Sequence, residues 1–372
     1  MQRKNRIRVE RISVDKYPFA RIHGIDLKKV TASSDRETLR RLMEIHGVLV
    51  FPNQNLLPED EVRVNQAFGY HDETQSKFGF GFNSYTNITH DGNIPSCPAV
   101  QLQGNVMVKD HYGVDGLQLN MLLGLKVEGF HSDAMHAQDE FERRELPVLT
   151  SMYCIEAPFK GGETLFACTR TALARIDEEK RSYLRSLRVH YQNEETGRIR
   201  GLPIMYKAGC TTVVGVRRFK REHDEKIERE QQQQQFLNLY GEDSAKGGPV
   251  HPLIRKHVDT GEEAIFLSCG NVAYMEDKTK KVHLSCEESY DLIEKIVADV
   301  CSPPNVYEHR WKKNDFVIWD NRVCMHSGPL LENISGRRLF HRVRLRGSQS
   351  ANADCAKIWD EVLSSRHQFS KI

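Results

Sequence analysis

Nowhere in the 372 residues do about 18 apolar residues run together, so no segment offers the apolar length that a membrane-spanning helix needs. Cys-x-x-Cys pairs are also missing. The nine cysteines (Cys97, Cys154, Cys168, Cys210, Cys269, Cys286, Cys301, Cys324, Cys355) are scattered and odd in number, which suits a reducing compartment better than a disulfide framework or a cysteine-built zinc site. Net charge is nearly absent too, since 53 Lys and Arg face 51 Asp and Glu for a balance of +2, so nothing draws the chain generally to nucleic acid or an anionic membrane. The basic start, Met1 to Arg8, leads into no apolar stretch of the kind a secretory signal has. The expectation is a cytoplasmic protein whose partner is a small molecule, with no nucleic acid and no membrane; a homo-oligomer stays open.

The length exceeds that of an average domain, yet β-barrels decorated with helices reach this size as one folding unit. With no internal repeat and no dividing linker, residues 1–372 are read as a single domain. Its polar insertion at about 215–248 has Gln231 to Gln235 at the centre. Such low-complexity polar sequence reads as an exposed helix or loop, and either a lid or a solvated excursion would account for it.

Helix signals are few. Ser34-Asp-Arg-Glu37 reads as a capping box ahead of Leu39, Leu42, Met43 and Ile45, with Gly47 as the stop. A second helix is expected from near Thr169 through Leu173, Ile176, Leu184 and Leu187, and a third behind the cap Ser285-Cys-Glu-Glu288. Short β-type runs dominate elsewhere: 48–51, 148–155, 264–267, 316–319 and 339–345, separated by turn clusters such as Lys160-Gly-Gly and Asp259-Thr-Gly. The expected fold is mainly β with flanking helices, a double-stranded β-helix or jelly-roll barrel of the cupin kind.

Two His-x-Asp triplets occur, His131-Ser-Asp133 and His257-Val-Asp259. In extended chain, residues two apart point the same way, so either triplet could offer an imidazole and a carboxylate to one ion. Asp259 opens a turn sequence, where its carboxylate is expected to bond turn amides instead. A set of two histidines and one carboxylate on one face of an octahedron leaves the open positions that an iron(II) oxygenase requires, unlike a closed tetrahedral zinc site.

Downstream of His131 lie Trp311-x-x-x-Asp315-Phe-Val-Ile-Trp-Asp-Asn-Arg-Val-Cys-Met-His326 and then Arg337-Arg-Leu-Phe-His-Arg342. In order and residue type these resemble the taurine dioxygenase (TauD/TfdA) family of iron(II)- and 2-oxoglutarate-dependent dioxygenases. The likeness extends to His46-Gly-Val-Leu-Val-Phe51, Gly161-Gly-Glu-Thr-Leu165 and His251-Pro-Leu-Ile-Arg-Lys-His257, with gaps around 75–125 and 215–248. The resemblance implies that His131, Asp133 and His326 hold the metal and are the catalytic set, with second-sphere partners that the sequence does not identify. It further implies Fe(II) as cofactor, with 2-oxoglutarate and O2 as co-substrates.

Arginine is suited to the distal carboxylate of 2-oxoglutarate, because its fork donates two parallel hydrogen bonds. The family pattern selects Arg338, but the interval after His326 is one residue longer than usual, so Arg337 stays a candidate. Strand alternation would put Arg338, Phe340, Arg342, Arg344 and Arg346 on one face and Leu339, Val343 and Leu345 on the other. Clustered guanidinium groups call for anions: 2-oxoglutarate at Arg338, and its other carboxylate or an acidic substrate at Arg342. Arg344 and Arg346 are expected at an exposed strand end, and Thr164 matches the family residue supporting the distal carboxylate. The implied reaction is oxidation of an unactivated C–H bond of a small, carboxylate-bearing or amino-acid-like substrate, hydroxylation foremost. Desaturation or oxidative cyclisation of the kainoid-synthase kind is the alternative, and a non-catalytic 2-oxoglutarate and metal sensor the alternative of another class.

Overall fold

The structure is a computed structural model, described over residues 7–30, 33–68, 92–119, 130–133, 146–191, 248–269, 272–302, 305–328 and 334–347, and at 354, 355, 357, 358 and 361. The expected insertion at 215–248 lies outside the described residues apart from its last position.

Two sheets face each other. The larger has eight strands in the order Arg8–Arg11, Ala20–His23, Val48–Phe51, Phe316–Asp320, Pro147–Glu156, Leu339–Arg346, Cys97–Gly104 and Asn93–Ile94. Opposite it, Thr164–Cys168 pairs antiparallel with Val306–His309 on one side and Cys324–Ser327 on the other. A separate four-stranded sheet of Val282–His283, Val272–Asp277, Leu187–Tyr191 and Val250–Pro252 shares an apolar cluster with Leu165 and Ala167 of this layer.

Period-two alternation sorts the side chains as half-buried strands require. From Phe316–Asp320, Val317 and Trp319 enter the core between the sheets with Phe166, Cys324 and Phe340, whereas Phe316 and Ile318 pack outward beside Leu39 and Val64 of two covering helices. Those helices are Ser33–His46 and Pro58–Phe68. Leu339 and Val343 likewise join an outer cluster with Val100 and Leu102. Thus a mainly β jelly roll with flanking helices is present, and its inner faces are where polar side chains can gather away from water.

Local signals held unevenly. Ser285 and Glu288 form the reciprocal capping box in front of Cys286–Val300, and Gly47, at φ +69°, ends the first helix with its N–H on the Met43 carbonyl. That helix already includes Ser33, so Ser34 sits inside it and is not its cap. The expected second helix is two, Thr169–Arg175 and Glu178–Arg185, because Asp177 caps a new N-terminus through the Lys180 amide. Leu187 then belongs to a strand.

Candidate metal centre and co-substrate wall

His326 is an inward position of Cys324–Ser327, since its neighbour Met325 packs outward beneath the helices. His131 pairs with it through two backbone hydrogen bonds, both 2.9 Å. Phe130 to Asp133 form no regular strand, only this one bridge. The segment is pinned on its other side by Ser132 N–H on the Leu267 carbonyl and Cys269 N–H on the Phe130 carbonyl, each at 3.2 Å. That suffices to aim residues 131 and 133 the same way.

The Nε2 atoms of His131 and His326 each lie 3.9 Å from Asp133 Oδ1, and the three candidate ligand atoms fall within 4.8 Å of one another. Asp133 is 4% exposed and His326 8%. Burial alone would raise the Asp133 carboxyl, but His326, Arg342, Arg344 and His131 together hold it well below the usual carboxylate range. Burial first, then the neighbouring His131, pushes His326 down to about 3. An ionised carboxylate facing two imidazoles is a donor set for a borderline divalent ion. His326 Nδ1 is buried without a hydrogen-bond partner among the described residues.

A relay fixes the carboxylate. Trp319 Nε1 donates to Asn321 Oδ1 at 3.1 Å, Asn321 Nδ2 donates to Thr150 Oγ1 at 2.9 Å, and Thr150 Oγ1 donates to Asp133 Oδ2 at 2.5 Å. Because an indole N–H can only donate, every later member has its direction set. Oδ2 is thereby occupied and Oδ1 left towards the imidazoles. The Trp319 ring also packs 4.7 Å from that of His326. Sequence reasoning missed Thr150 and Asn321; the adjacency of Trp, Asp, Asn and Arg at 319–322 was their only trace.

The second triplet resolves differently. Asp320 accepts a hydrogen bond from His257 Nε2 at 3.1 Å and two guanidinium bonds from Arg322 at 2.9 and 2.7 Å. Asp259 pairs with Arg322 at 3.3 Å, and the turn amides of 259 and 260 donate to His257 Nδ1. This corrects the expectation that the Asp259 carboxylate bonds turn amides. Both nitrogens of His257 are in use, so none is left for an ion.

At the start of Leu339–Arg346, Arg338 is buried at 4% and its guanidinium lies over the Phe340 ring at 4.3 Å. Arg337 is 61% exposed at its side chain and paired with Glu156, so the buried wall carries Arg338. Gly162, at φ +77°, approaches it closely: a Cβ there would stand 3.4 Å from Arg338 Cδ and 2.6 Å from Pro158. Thr164 is buried and accepts from Trp311 Nε1 at 3.0 Å. Arg342 is held by Gln101 at 2.5 Å. Arg344 departs from the expected exposed strand end: it is only 7% exposed and acts electrostatically on Asp133, because strand alternation continues one step further into the barrel. The Arg346 side chain lies outside the described residues.

A jelly roll carrying an inward His, Asp, His cluster beside a buried arginine defines the class of site. The taurine catabolism dioxygenase TauD, TfdA family model matches residues 13–344, and the chain belongs to that family of dioxygenases, hence to the oxidoreductases. It is 23% identical to an (S)-phenoxypropionate/alpha-ketoglutarate-dioxygenase of Sphingobium herbicidovorans, covering 84% of this chain and 86% of that protein. It is 26% identical to an alpha-ketoglutarate-dependent xanthine dioxygenase of Schizosaccharomyces pombe, covering 88% and 84%. In fold it is similar to a taurine dioxygenase from Burkholderia xenovorans, with TM-score 0.60, 18% identity and 92% and 91% coverage. Among the described residues no helix is long and apolar enough to cross a membrane.

Proposed function

We propose that the protein is an iron(II)- and 2-oxoglutarate-dependent dioxygenase that hydroxylates an unactivated C–H bond of a small carboxylate-bearing or amino-acid-like molecule. The observation that carries this reading is the convergence of His131, Asp133 and His326, within 4.8 Å, from segments almost 200 residues apart. In this reading all three hold the metal, and Thr150 orients Asp133. Ferrous ion, when bound together with 2-oxoglutarate and dioxygen, supplies the oxidant for C–H cleavage. Arg338 and Thr164 bind the distal carboxylate of 2-oxoglutarate, while Arg342 takes its proximal carboxylate or an acidic group of the substrate. The buried inner faces exclude bulk water from the reacting atoms.

Support for an anionic substrate comes from Arg342 and Arg344, which share the wall with Arg338 and whose charge is felt at Asp133. The test is a screen of small acids for stimulated succinate release by the Fe(II)-loaded protein. Mass spectrometry of the stimulating compound should show a gain of one oxygen. Stimulation by macromolecular candidates alone, or loss of two hydrogens without oxygen gain, would overturn the proposal.

A further inference from the structure

The Asp133 relay begins at an indole, passes through a hydroxyl and ends on a carboxylate. An indole and a threonine hydroxyl occur together again elsewhere, without an amide between them: Trp311 Nε1 donates to Thr164 Oγ1 at 3.0 Å and both residues are buried. An indole N–H cannot accept, so this bond uses a lone pair of Thr164 and leaves its own proton for another acceptor. Among the described residues Trp311 is the one hydrogen-bond partner of that hydroxyl.

The Trp311 ring is held in place from two sides. It meets His309 edge to face at 4.5 Å and 86°, and Phe340 at 4.7 Å and 71°. His309 lies opposite Thr164 in the strand pairing and is held by the Tyr307 hydroxyl at 2.8 Å on Nδ1. Phe340 carries the Arg338 guanidinium on its face at 4.3 Å. Trp311 therefore links the hydroxyl and the arginine into one rigid wall.

We infer that Trp311 is a positioning residue that makes Thr164 an obligatory donor to an anion beside Arg338, and so sets the preference for a 2-oxo acid with a distal carboxylate over one without it. This rests on the functional reading above. A hydroxyl free to rotate would spend part of its time donating elsewhere; the indole removes that freedom before the ligand arrives.

The test is calorimetric binding to the Mn(II)-loaded full-length protein, which needs no turnover. The two probes are 2-oxoglutarate and 2-oxobutyrate, which lacks the distal carboxylate. Wild type should prefer 2-oxoglutarate. Trp311→Phe should weaken 2-oxoglutarate about tenfold, as loss of a hydrogen bond that orders a charge-assisted one does, and 2-oxobutyrate less than about twofold. Thr164→Val should cost at least as much, and adding Trp311→Phe to it should cost nothing more, because the two changes remove one device. Thr164→Ser should stay within about twofold of wild type. Should Trp311→Phe unfold, 3-benzothienylalanine at position 311 keeps the bicyclic ring and removes only the N–H, and the same loss is expected.

A wild-type protein that binds neither acid in the presence of metal overturns the functional reading itself. A wild type that prefers 2-oxoglutarate, with position-311 variants that lose both acids equally or neither, overturns the role of Trp311 and leaves the function standing. Equal wild-type affinity for both acids, or additive losses in the double variant, also overturns the inference.

Discussion

The two His-x-Asp triplets share a spacing and have opposite fates. At 131 and 133, the acid is oriented by a neutral hydroxyl and, among the described residues, no guanidinium is hydrogen-bonded to it, so one oxygen faces two imidazole nitrogens. At 257 and 259, Arg322 stands between Asp259 and Asp320, and the histidine spends one nitrogen on Asp320 and the other on turn amides. The motif alone offers donors; what decides between an ion site and a structural cluster is whether a fixed cation has already taken them.

That contrast can be broken at its strongest point first. Asp133→Ala should remove stoichiometric Mn(II) binding and bring succinate formation to background, whereas Asp259→Ala should retain both; equal loss in the two variants would erase the distinction. Next in size, Asp320→Ala strands a buried arginine and should destabilise the fold by about 3–5 kcal/mol, read as a lower midpoint in urea.

The same pair predicts a pH dependence. Arg322 and His257 outweigh burial and hold the Asp320 carboxyl below its ordinary range. A depressed folded-state value means that the contribution is complete above the unfolded value of about 4 and lost as pH falls below it. Asp320→Asn should flatten the acid limb of stability against pH; an unchanged slope would show that other groups control it.

Smaller again, Thr150→Val should weaken metal binding roughly 10- to 100-fold with the fold intact, as loss of a partner orienting a metal ligand does. Retention of wild-type affinity would mean that packing alone orients Asp133. The smallest effect belongs to Arg337→Ala: its ion pair with Glu156 is exposed, so stability should change by less than about 1 kcal/mol and 2-oxoglutarate affinity by less than about twofold. A large loss of affinity there would return the carboxylate clamp from Arg338 to Arg337.

Strand alternation is a local rule and made part of the centre legible, while His326 and Arg338 were marked only by the family resemblance. Spacing put residues 131 and 133 on one side and separated Arg338 and Arg342 from Leu339 and Val343, and the chain folds accordingly. What escaped reading depends on cross-strand register. Thr150 reaches Asp133 only because Pro147–Glu156 pairs with Phe316–Asp320, with Thr150 opposite Trp319. Register over 169 residues of separation leaves no sequence signature. Arg344 was expected at an exposed strand end, but the alternation of Leu339–Arg346 keeps it buried, because the barrel continues past the point where sequence alone marks an end. The break at Asp177 was missed because the apolar spacing of Ile176, Leu184 and Leu187 continues through a new cap.

The most direct test is an anaerobic titration of the protein with Fe(II) and 2-oxoglutarate, followed by admission of oxygen and quantitation of succinate. One metal per chain and succinate formed from wild type, with neither from Asp133→Ala, is the expected result. Folded, iron-loaded wild type that returns 2-oxoglutarate unconsumed in the presence of the small-acid panel would contradict it.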